Sequence, residues 1–390
     1  MGHDLTTTHI RLSPIPLHAE RGLRLVRGEG SYLWDDQDRR YLDLMTNYGV
    51  NLLGHNHPEV TAAITAQAAT LTNAHQSFDT PARDDFLHAL GVLLPPPLTR
   101  ISFGNSGAES VEAAVKYARV ASGRTGIVAT HRAYHGRTFG ALAATADAKY
   151  RDPFAPMLEG FRHVPFDDLG AMEKVLDDSV AAVIIEPIQG EGGVRVPADG
   201  YLKGIRDQCD ARGILLICDE IQTGFRTGAV FAFSREDVMP DILCLSKSIA
   251  NGLPLGVTVT TEAVSDRVPK GSHGSTFAGS PLVCAAGTAT LKLMGDDEIH
   301  RRAAQAGEHF IEKVRGLGLP QVREVRGRGL MLAVELKKPA TPVIKSMQER
   351  GVLALPGGGT VIRFLPSILI DDAQLDEGVA AFVSAVRQSG

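Results

Sequence analysis

The feature that most constrains the fold is a series of short, almost purely aliphatic runs separated by segments with helical periodicity. Three of these runs are AAVIIEP at 181–187, ILLICDE at 214–220 and DILCLS at 241–246. Runs of Val, Ile and Leu without polar alternation are typical of strands that are buried on both faces. Because helices lie between them, such strands pair in parallel, so we predict an α/β fold with a mostly parallel central sheet.

The pattern changes towards both ends of the chain. Residues 1–55 carry an apolar run on each side of DDQDRR, which is typical of a hairpin. Beyond residue 290, a charged helix at 298–317 precedes short strands and a last amphipathic helix. We therefore predict a large domain at 56–290 and a smaller α+β domain formed by both termini, from residues 1–55 and 291–390.

Composition excludes several classes of function. The chain of 390 residues has 40 basic and 45 acidic side chains, and this net charge of −5 argues against a general nucleic-acid binder. No apolar run is long enough to span a membrane, and the first residues lack the pattern of a secretory signal. Gly2 and Thr6 fit the N-myristoylation pattern, but it is short and common, and we expect no lipid there. The four cysteines have no CxxC spacing, so we expect reduced thiols and a cytoplasmic protein.

Lys247 directly follows the apolar run 242–246 and precedes small residues and a glycine. A buried ammonium group is costly unless it is paired or neutralised, and desolvation makes it an amine nucleophile towards carbonyl compounds. Most lysines beside apolar runs simply extend to the surface, so this observation alone is weak. Asp219 ends the preceding apolar run, and ligands gather at the carboxyl ends of strands in open α/β sheets.

Two upstream loops add groups that suit a cofactor. In ISFGNSGAESVEAAVKYAR at 101–119, a strand leads through a Gly/Ser turn into a helix with Ser106 as its N-cap. The free N–H groups there suit a phosphate, although an ordinary helix start has the same pattern. In ATHRAYHGRTFG, Tyr134 lies close to Arg137, so an aromatic ring for stacking accompanies a guanidinium for a carboxylate.

The remaining polar patterns point to no further chemistry. His55 and His57 form an HxH pair without a further partner, which is more typical of a loop hydrogen bond than of a metal site. Glu186 and Glu191 would suit a glycosidase, but acids at strand ends are frequent in α/β sheets. We expect no metal. Together, the phosphate turn, the aromatic ring, the strand-end acid and the strand-end lysine match the needs of pyridoxal phosphate.

Seven motifs occur in one order along the chain: GNSGAES, YHGR, EPIQGEGG, DEIQTG, SKSIANGLPLG, HGSTFAGSPL and IRFLPS. This ordered set resembles the class III (subgroup II) aminotransferases of the acetylornithine/ornithine aminotransferase family, and the match covers nearly the whole chain. The segments SFDTP, KYRDPFAP and IRFLPSILI resemble most the lysine/ornithine aminotransferases that act on a small acidic amino-group carrier protein. The resemblance implies fold type I of the pyridoxal-phosphate enzymes.

The resemblance implies roles for residues around the cofactor ring. Lys247 would bond the cofactor as a Schiff base and then serve as the general acid and base. Asp219 would keep the ring nitrogen protonated, and Gln222 would bond the ring hydroxyl oxygen. Tyr134 would stack on one face of the ring, and Ile221 would pack on the opposite face.

The resemblance also implies a phosphate cradle that two subunits share. Ser106, Gly107 and Ala108 would hold the phosphate from one side. Thr276 of a neighbouring subunit would complete the cradle, so a homodimer is part of the prediction.

For the substrates, Arg363 would bind the α-carboxylate of glutamate and Arg137 its second carboxylate. An ω-amine donor has no carboxylate at the reacting carbon, and an unpaired buried guanidinium would then be costly. We therefore predict that Glu191 pairs with Arg363 in that half-reaction and releases it for glutamate. The motifs depart from the family in two places, since QTGFRTG is one residue short around Arg226 and Asn251 replaces a glycine.

The resemblance implies transfer of an amino group between glutamate/2-oxoglutarate and the terminal amine of carrier-linked lysine or ornithine. An alternative is N-acetylornithine aminotransferase of arginine biosynthesis. Less favoured are an aminomutase of the glutamate-semialdehyde type and a non-enzymatic cofactor-binding regulator.

Overall fold

The computed structural model describes residues 13–389. The myristoylation pattern at Gly2 and Thr6 therefore lies outside the described residues. Strands and helices are numbered in chain order. The strands are β1 Leu25–Glu29, β2 Tyr32–Asp35, β3 Arg40–Asp43, β4 Leu98–Gly104, β5 Gly126–Thr130, β6 Phe161–Val164, β7 Val180–Ile185, β8 Leu215–Asp219, β9 Ile242–Leu245, β10 Gly256–Thr261, β11 Val322–Arg328, β12 Met331–Leu336, β13 Val352–Leu353, β14 Leu355–Pro356 and β15 Val361–Phe364.

The helices flank these strands. They are α1 Thr46–Gly49, α2 Pro58–Ala68, α3 Pro81–Leu93, α4 Gly107–Ser122, α5 Phe139–Ala144, α6 Ala148–Arg151, α7 Leu169–Glu173, α8 Tyr201–Asp210, α9 Glu262–Ser265, α10 Pro281–Met294, α11 Asp297–Gly316, α12 Thr341–Glu349 and α13 Asp372–Gln388, with 3₁₀ turns at Asp152–Phe154, Ala232–Glu236 and Lys247–Ala250.

The central sheet has seven strands in the order β4-β10-β9-β8-β7-β5-β6. Strand β10 is antiparallel to both its neighbours, and the pairs from β9 to β6 are all parallel. Strands β7 and β9 are buried along their whole length, as their aliphatic sequences predict. This sheet confirms the predicted mostly parallel architecture.

A second sheet has the order β11-β12-β15-β14, and its pairs are antiparallel. The predicted N-terminal hairpin forms β2 and β3, and this sheet continues to β13 from the C-terminal part of the chain through a parallel pairing of Val352 with Leu42. The two ends of the chain are thus joined by backbone hydrogen bonds. The domain limits at 1–55, 56–290 and 291–390 stay predictions.

A continuous hydrophobic core links the central sheet to the terminal layers. It includes Phe86 on α3, Leu243 on β9 and Phe364 on β15, each of which is at most 1% exposed. In residues 13–389, no helix has both the length and the apolar character that crossing a bilayer requires.

Candidate active site

A cavity of about 510 Å³ opens at the carboxyl ends of the parallel strands. It is lined by His18, Asn47, Tyr48, Gly107, Ala108, Tyr134, His135, Gly136, Arg137, Tyr150, Glu186, Glu191, Asp219, Ile221, Gln222 and Lys247. The carboxyl ends of neighbouring parallel strands meet at one edge of the sheet, which is why residues far apart in sequence converge there. Most of the predicted site residues therefore lie in one cavity.

Lys247 directly follows β9 and Ser246, at the start of a 3₁₀ turn. Its φ of 47° is in the left-handed region, which is uncommon outside glycine. The side chain is partly accessible from the cavity but lies deep in the protein. Burial lowers the pKa of the Lys247 ammonium, although nearby carboxylates, of which Glu191 has the largest effect, act in the opposite direction. A larger fraction of neutral amine is therefore present near neutral pH than in an exposed lysine.

Asp219 ends β8 and forms a buried pair with His135. Its Oδ2 lies 2.7 Å from His135 Nδ1, and its Oδ1 accepts a hydrogen bond of 3.0 Å from the backbone N–H of Ile221. Burial alone would lower the pKa of His135, but the hydrogen bond and charge of Asp219 outweigh it, and the pKa of His135 is raised. The two hydrogen bonds fix the orientation of the Asp219 carboxylate. His135 lies within the YHGR motif, although the sequence pattern by itself predicts no role for it.

The start of α4 contributes Gly107 and Ala108 to the lining of the cavity. Ser106 caps this helix as predicted, since its Oγ accepts a hydrogen bond of 3.2 Å from the N–H of Glu109. The N–H groups of Gly107 and Ala108 lie in the first turn, where a helix offers them no carbonyl partner. A Cβ atom on Gly107 would lie 2.9 Å from Ile221 Cδ1, so the glycine allows this close packing.

Thr276 is exposed and does not line the cavity of its own chain. The preceding residue, Ser275, accepts a hydrogen bond of 2.8 Å from Asn105, directly before the helix start. The role of Thr276 in a neighbouring subunit stays a prediction.

Glu186 follows β7 and holds two loops of the site. Its two carboxylate oxygens accept hydrogen bonds from the backbone N–H groups of Tyr134, at 3.0 Å, and Gly190, at 3.1 Å. Burial raises the pKa of Glu186 to about 7. The loop of Tyr134 and the loop of Glu191 are thus fixed to the same side chain.

Arg363 on β15 meets Glu191 at the border between the C-terminal sheet and the cavity. Its Nη2 lies 2.7 Å from Glu191 Oε1. Its Nη1 donates to Gln222 Oε1 at 3.3 Å, and its Nε donates to the carbonyl of Pro356 at 3.0 Å. The guanidinium is fully buried, and each of its three nitrogens has a partner. Whether this ion pair serves as a switch stays a prediction.

The loop after Glu191 has a strained backbone. Val194 has a φ of 50°, which is a rare conformation for a β-branched residue. Arg326 from β11 holds this loop, because its Nε and Nη2 donate to the carbonyl of Gly193 at 3.0 and 2.8 Å, and its Nε also contacts that of Val194 at 3.1 Å. The ion pair of Arg326 with Glu335, at 2.8 Å, anchors the arginine itself.

The shortened QTGFRTG segment turns its arginine inwards. Phe225 has a φ of 69°, and Arg226 is 0% exposed. Arg226 Nη2 donates to the carbonyl of Gly49 at 2.8 Å, and Gln222 Nε2 donates to that of Tyr48 at 3.2 Å. Burial lowers the pKa of Arg226 to about 10. The short loop therefore supports the segment that carries Tyr48 into the cavity.

Asn251 forms hydrogen bonds with a distant part of the chain through its side-chain amide. Its φ of 40° is left-handed, a conformation that asparagine tolerates better than most residues. Its amide accepts a hydrogen bond of 2.8 Å from the N–H of Leu53 and donates one of 3.1 Å to the carbonyl of Gly54. Asn251 thus connects the turn after Lys247 with the N-terminal part of the chain.

Several cavity residues have no clear signal in the sequence. Asn47 and Tyr48 come from a segment with three successive left-handed residues, which the sequence only marks as a break before Gly49. Tyr150 lies in the KYRDPFAP motif, and its ring contacts the guanidinium of Arg137 at 5.0 Å. His55, a candidate metal ligand by its HxH spacing, lies 2.8 Å from Asp43 in a loop hydrogen bond.

The cavity fits pyridoxal phosphate in the chemistry of its groups. Unpartnered N–H groups at the start of α4 suit the phosphate, and the carboxylate of Asp219 suits a protonated ring nitrogen. Lys247 lines the same cavity and has no hydrogen-bond partner for its amine within residues 13–389. These groups are those that the cofactor needs.

Comparison with protein families gives a match over nearly the whole chain. The family model described as Aminotransferase class-III matches residues 18–386. The chain is 42% identical over 369 residues to the acetylornithine aminotransferase of Methanopyrus kandleri, which covers 94% of this chain and 95% of that protein. It is 41% identical over 367 residues to the LysW-aminoadipate semialdehyde/glutamate semialdehyde transaminase of Sulfolobus acidocaldarius, covering 93% of this chain and 94% of that protein.

Solved structures of aminotransferases have the same fold as this chain. The ornithine aminotransferase of Toxoplasma gondii ME49 superposes with a TM-score of 0.90 at 32% identity, covering 98% of this chain and 93% of that one. The acetylornithine aminotransferase of Elizabethkingia anophelis gives a TM-score of 0.86 at 33% identity, covering 95% and 96%. The predicted fold class is confirmed. The chain therefore belongs to the class III aminotransferases, in the group of acetylornithine and LysW-dependent transaminases, and its cofactor is pyridoxal phosphate.

Proposed function

We propose that this aminotransferase moves the terminal amino group of a carrier-protein-linked lysine or ornithine to 2-oxoglutarate, giving a semialdehyde and glutamate. In biosynthesis the same reaction runs in reverse. The observation that carries this proposal is the ion pair between Glu191 and the enclosed Arg363, at 2.7 Å. It supports an enzyme that accepts one donor with a carboxylate at the reacting carbon and one without.

The residues that would hold the cofactor lie in and beside the active-site cavity. Ser106, Gly107 and Ala108 would bind the phosphate, and Asp219 would pair with the ring nitrogen. Gln222 would bond the ring hydroxyl oxygen, and Tyr134 and Ile221 would enclose the ring. Pyridoxal phosphate, when bound, supplies an electron-withdrawing ring that stabilises the negative charge left when a C–H bond beside the amine breaks.

Lys247 is the group that would move the proton. Its lowered pKa favours the neutral amine, which can accept a proton from one carbon and return it to another. His135 would assist indirectly, because its contact with Asp219 Oδ2 at 2.7 Å holds that carboxylate in place.

The two donors would use the arginines differently. Glutamate would place its α-carboxylate at Arg363 and its second carboxylate at Arg137, which displaces Glu191. With an ω-amine donor, Glu191 would return to Arg363, so that no buried guanidinium is left without a partner. The backbone around Glu191 is held by Glu186 and Arg326, which favours a movement of the side chain alone.

The carrier-linked substrate is favoured over N-acetylornithine by the SFDTP, KYRDPFAP and IRFLPSILI segments, while relatives of both kinds are similarly identical to this chain. The test follows the cofactor absorbance of the holoenzyme with glutamate, carrier-linked lysine, carrier-linked ornithine and N-acetylornithine. We expect kcat/KM for one of the carrier-linked amines to exceed that for N-acetylornithine. The reverse order would support N-acetylornithine as the substrate.

The same experiment distinguishes a transaminase from an aminomutase and from a cofactor-binding regulator. An aminomutase would convert one substrate completely without 2-oxoglutarate. A regulator would show no spectral change when glutamate is added. We expect glutamate to change the spectrum and turnover to require 2-oxoglutarate.

We also propose a cytoplasmic homodimer in which Thr276 of each subunit completes the phosphate cradle of its partner. Sedimentation would give the mass of the assembly. We expect Thr276→Val to weaken cofactor binding without changing the assembly. Tight cofactor binding by a monomer would contradict the shared cradle.

A further inference from the structure

A second cavity of about 790 Å³ adjoins the active site. The two cavities share Tyr48, Tyr134, Tyr150 and Glu191 in their walls, so they are neighbours along one surface. The floor of the second cavity includes the glycine-rich segment 357–359, and its wall includes Arg132, Lys149 and Arg195. Of the predicted cofactor contacts, Tyr134 alone lines this second cavity, whereas Lys247, Asp219 and most of the others line the first. The second one is therefore available to the part of a substrate that does not react.

The lining of this cavity has three cations and three acids, but the acids do not pair with all three cations. Lys149 pairs with Asp147 at 2.8 Å, and Arg195 pairs with Glu335 at 3.2 Å. The third acid of the wall, Glu191, pairs with Arg363 from outside the cavity. Among the lining cations in the part of the chain that the structure describes, Arg132 alone forms no ion pair. The cavity thus has one exposed guanidinium to offer to an anion.

The backbone of Arg132 is fixed beside the loop of Glu191. Its φ of 67° is left-handed, which is unusual for arginine. A Cβ atom on Gly192 would lie 2.9 Å from the carbonyl oxygen of Arg132, so only glycine permits this approach. Gln189 also donates to the carbonyl of His131 at 2.8 Å. The two loops are therefore held together while the side chain of Arg132 stays exposed.

Arg132 and Arg195 also repel each other. Burial lowers the pKa of the Arg195 guanidinium, and the charges of Arg326 and Arg132 lower it further, while the charge of Glu335 acts in the opposite direction. An anion between these arginines would relieve the repulsion.

We propose that the second cavity binds the acyl group on the α-nitrogen of the amine substrate, and that Arg132 pairs with a carboxylate in that acyl group. This rests on the proposed function, in which the terminal amine lies at Lys247 and the opposite end of the substrate is acylated. A neutral acetyl group would leave Arg132 without a partner. The substrate class is thus an ω-amine whose α-nitrogen carries an acidic acyl group, either free or at the end of a carrier protein.

The test uses two substrates of equal length that differ in one carboxylate. N-α-glutaryl-L-lysine carries it, and N-α-pentanoyl-L-lysine does not; the ornithine pair is measured in parallel. We expect the holoenzyme to have a higher kcat/KM for the glutaryl compound. Arg132→Gln should lower the ratio of the two kcat/KM values by about tenfold, because a charge-assisted hydrogen bond is lost.

Two further variants make the result specific. Arg132→Lys keeps the charge and should preserve most of the preference. Arg267→Gln removes another exposed arginine, away from both cavities, and should leave the ratio at the wild-type value. The rate of cofactor conversion by glutamate serves as the reference for an intact site.

The outcomes separate this inference from the proposed function. Turnover of both acylated amines with an equal ratio in the wild type and Arg132→Gln would overturn the role of the second cavity and leave the proposed function standing. Conversion of glutamate without conversion of any acylated amine would overturn both. If the acyl end of carrier-linked lysine supplies the carboxylate, its kcat/KM should fall by the same factor in Arg132→Gln. An unchanged kcat/KM would show that Arg132 does not bind the carrier-linked substrate in this way.

Discussion

The ion pair between Arg363 and Glu191 joins one fully enclosed side chain to one that reaches the cavity. The two charged groups are 2.7 Å apart, and the side chains are 0% and 23% exposed. Arg363 is also held by Gln222 and by the carbonyl of Pro356. Arg363 is thus the more constrained of the two side chains, and we predict that Glu191 is the one that moves.

Glu191→Gln should lower the rate of the half-reaction with the ω-amine by about tenfold or more relative to that with glutamate. Without Glu191, the buried Arg363 has no carboxylate partner when the amine is bound, whereas glutamate brings its own. Stopped-flow measurement of both half-reactions gives the ratio. Glu173→Gln, which removes an exposed ion pair with Arg212, is the matched control. An unchanged preference in Glu191→Gln would show that the pair is not a switch.

Arg326→Met should lower the free energy of unfolding by about 3–5 kcal/mol, because it leaves the buried Glu335 with fewer cationic partners and frees the carbonyls of the strained loop. The control is Arg323→Met, whose side chain also pairs with Glu335 but is 58% exposed against 8% for Arg326. Arg323→Met should lower the free energy of unfolding by less than about 1 kcal/mol. Urea unfolding measures both, and equal losses would contradict the role of burial.

Glu220→Gln should flatten the dependence of stability on pH. Burial raises the pKa of Glu220 from 4.5 to about 7. Between these values the folded chain keeps a proton that the unfolded chain has released, so stability falls as the pH rises through this window, by up to about 3 kcal/mol. Urea unfolding of the apoenzyme at pH 5 and pH 8 should show a smaller difference in the variant. The control is Glu312→Gln, which changes an exposed side chain and should give a pH profile parallel to that of the wild type. A parallel profile for Glu220→Gln would contradict the prediction.

Asn251→Gly should destabilise the protein by about 1–3 kcal/mol. The left-handed backbone suits glycine, but the hydrogen bonds to Leu53 and Gly54 are lost. Asn251→Asp keeps the acceptor for Leu53 and places an acceptor against the carbonyl of Gly54, so it should also destabilise. Thermal unfolding measures both variants. A more stable glycine variant would show that the amide contributes nothing.

The sequence predicted those parts of the site that depend on local pattern. Lys247 and Asp219 follow aliphatic runs, and the ends of buried parallel strands meet at one edge of the sheet whatever the loops do. Ser106 caps α4 because its partner, Glu109, is three residues away. The hairpin around DDQDRR was also predictable, because its two strands are close in sequence.

The sequence by itself thus determined the sheet, the strand-end lysine and acid, and the helix start that suits a phosphate. Tertiary structure alone decided what surrounds them. Asn251 bonds Leu53 across 198 residues, Arg226 bonds Gly49 across 177, and Arg326 holds Gly193 across 133. Hydrogen bonds between such distant segments leave no periodicity in either one, because their geometry exists only after the terminal sheets have packed on the central one. The unpaired charge of Arg132 is of the same kind, since it depends on which carboxylates the folded chain has already paired.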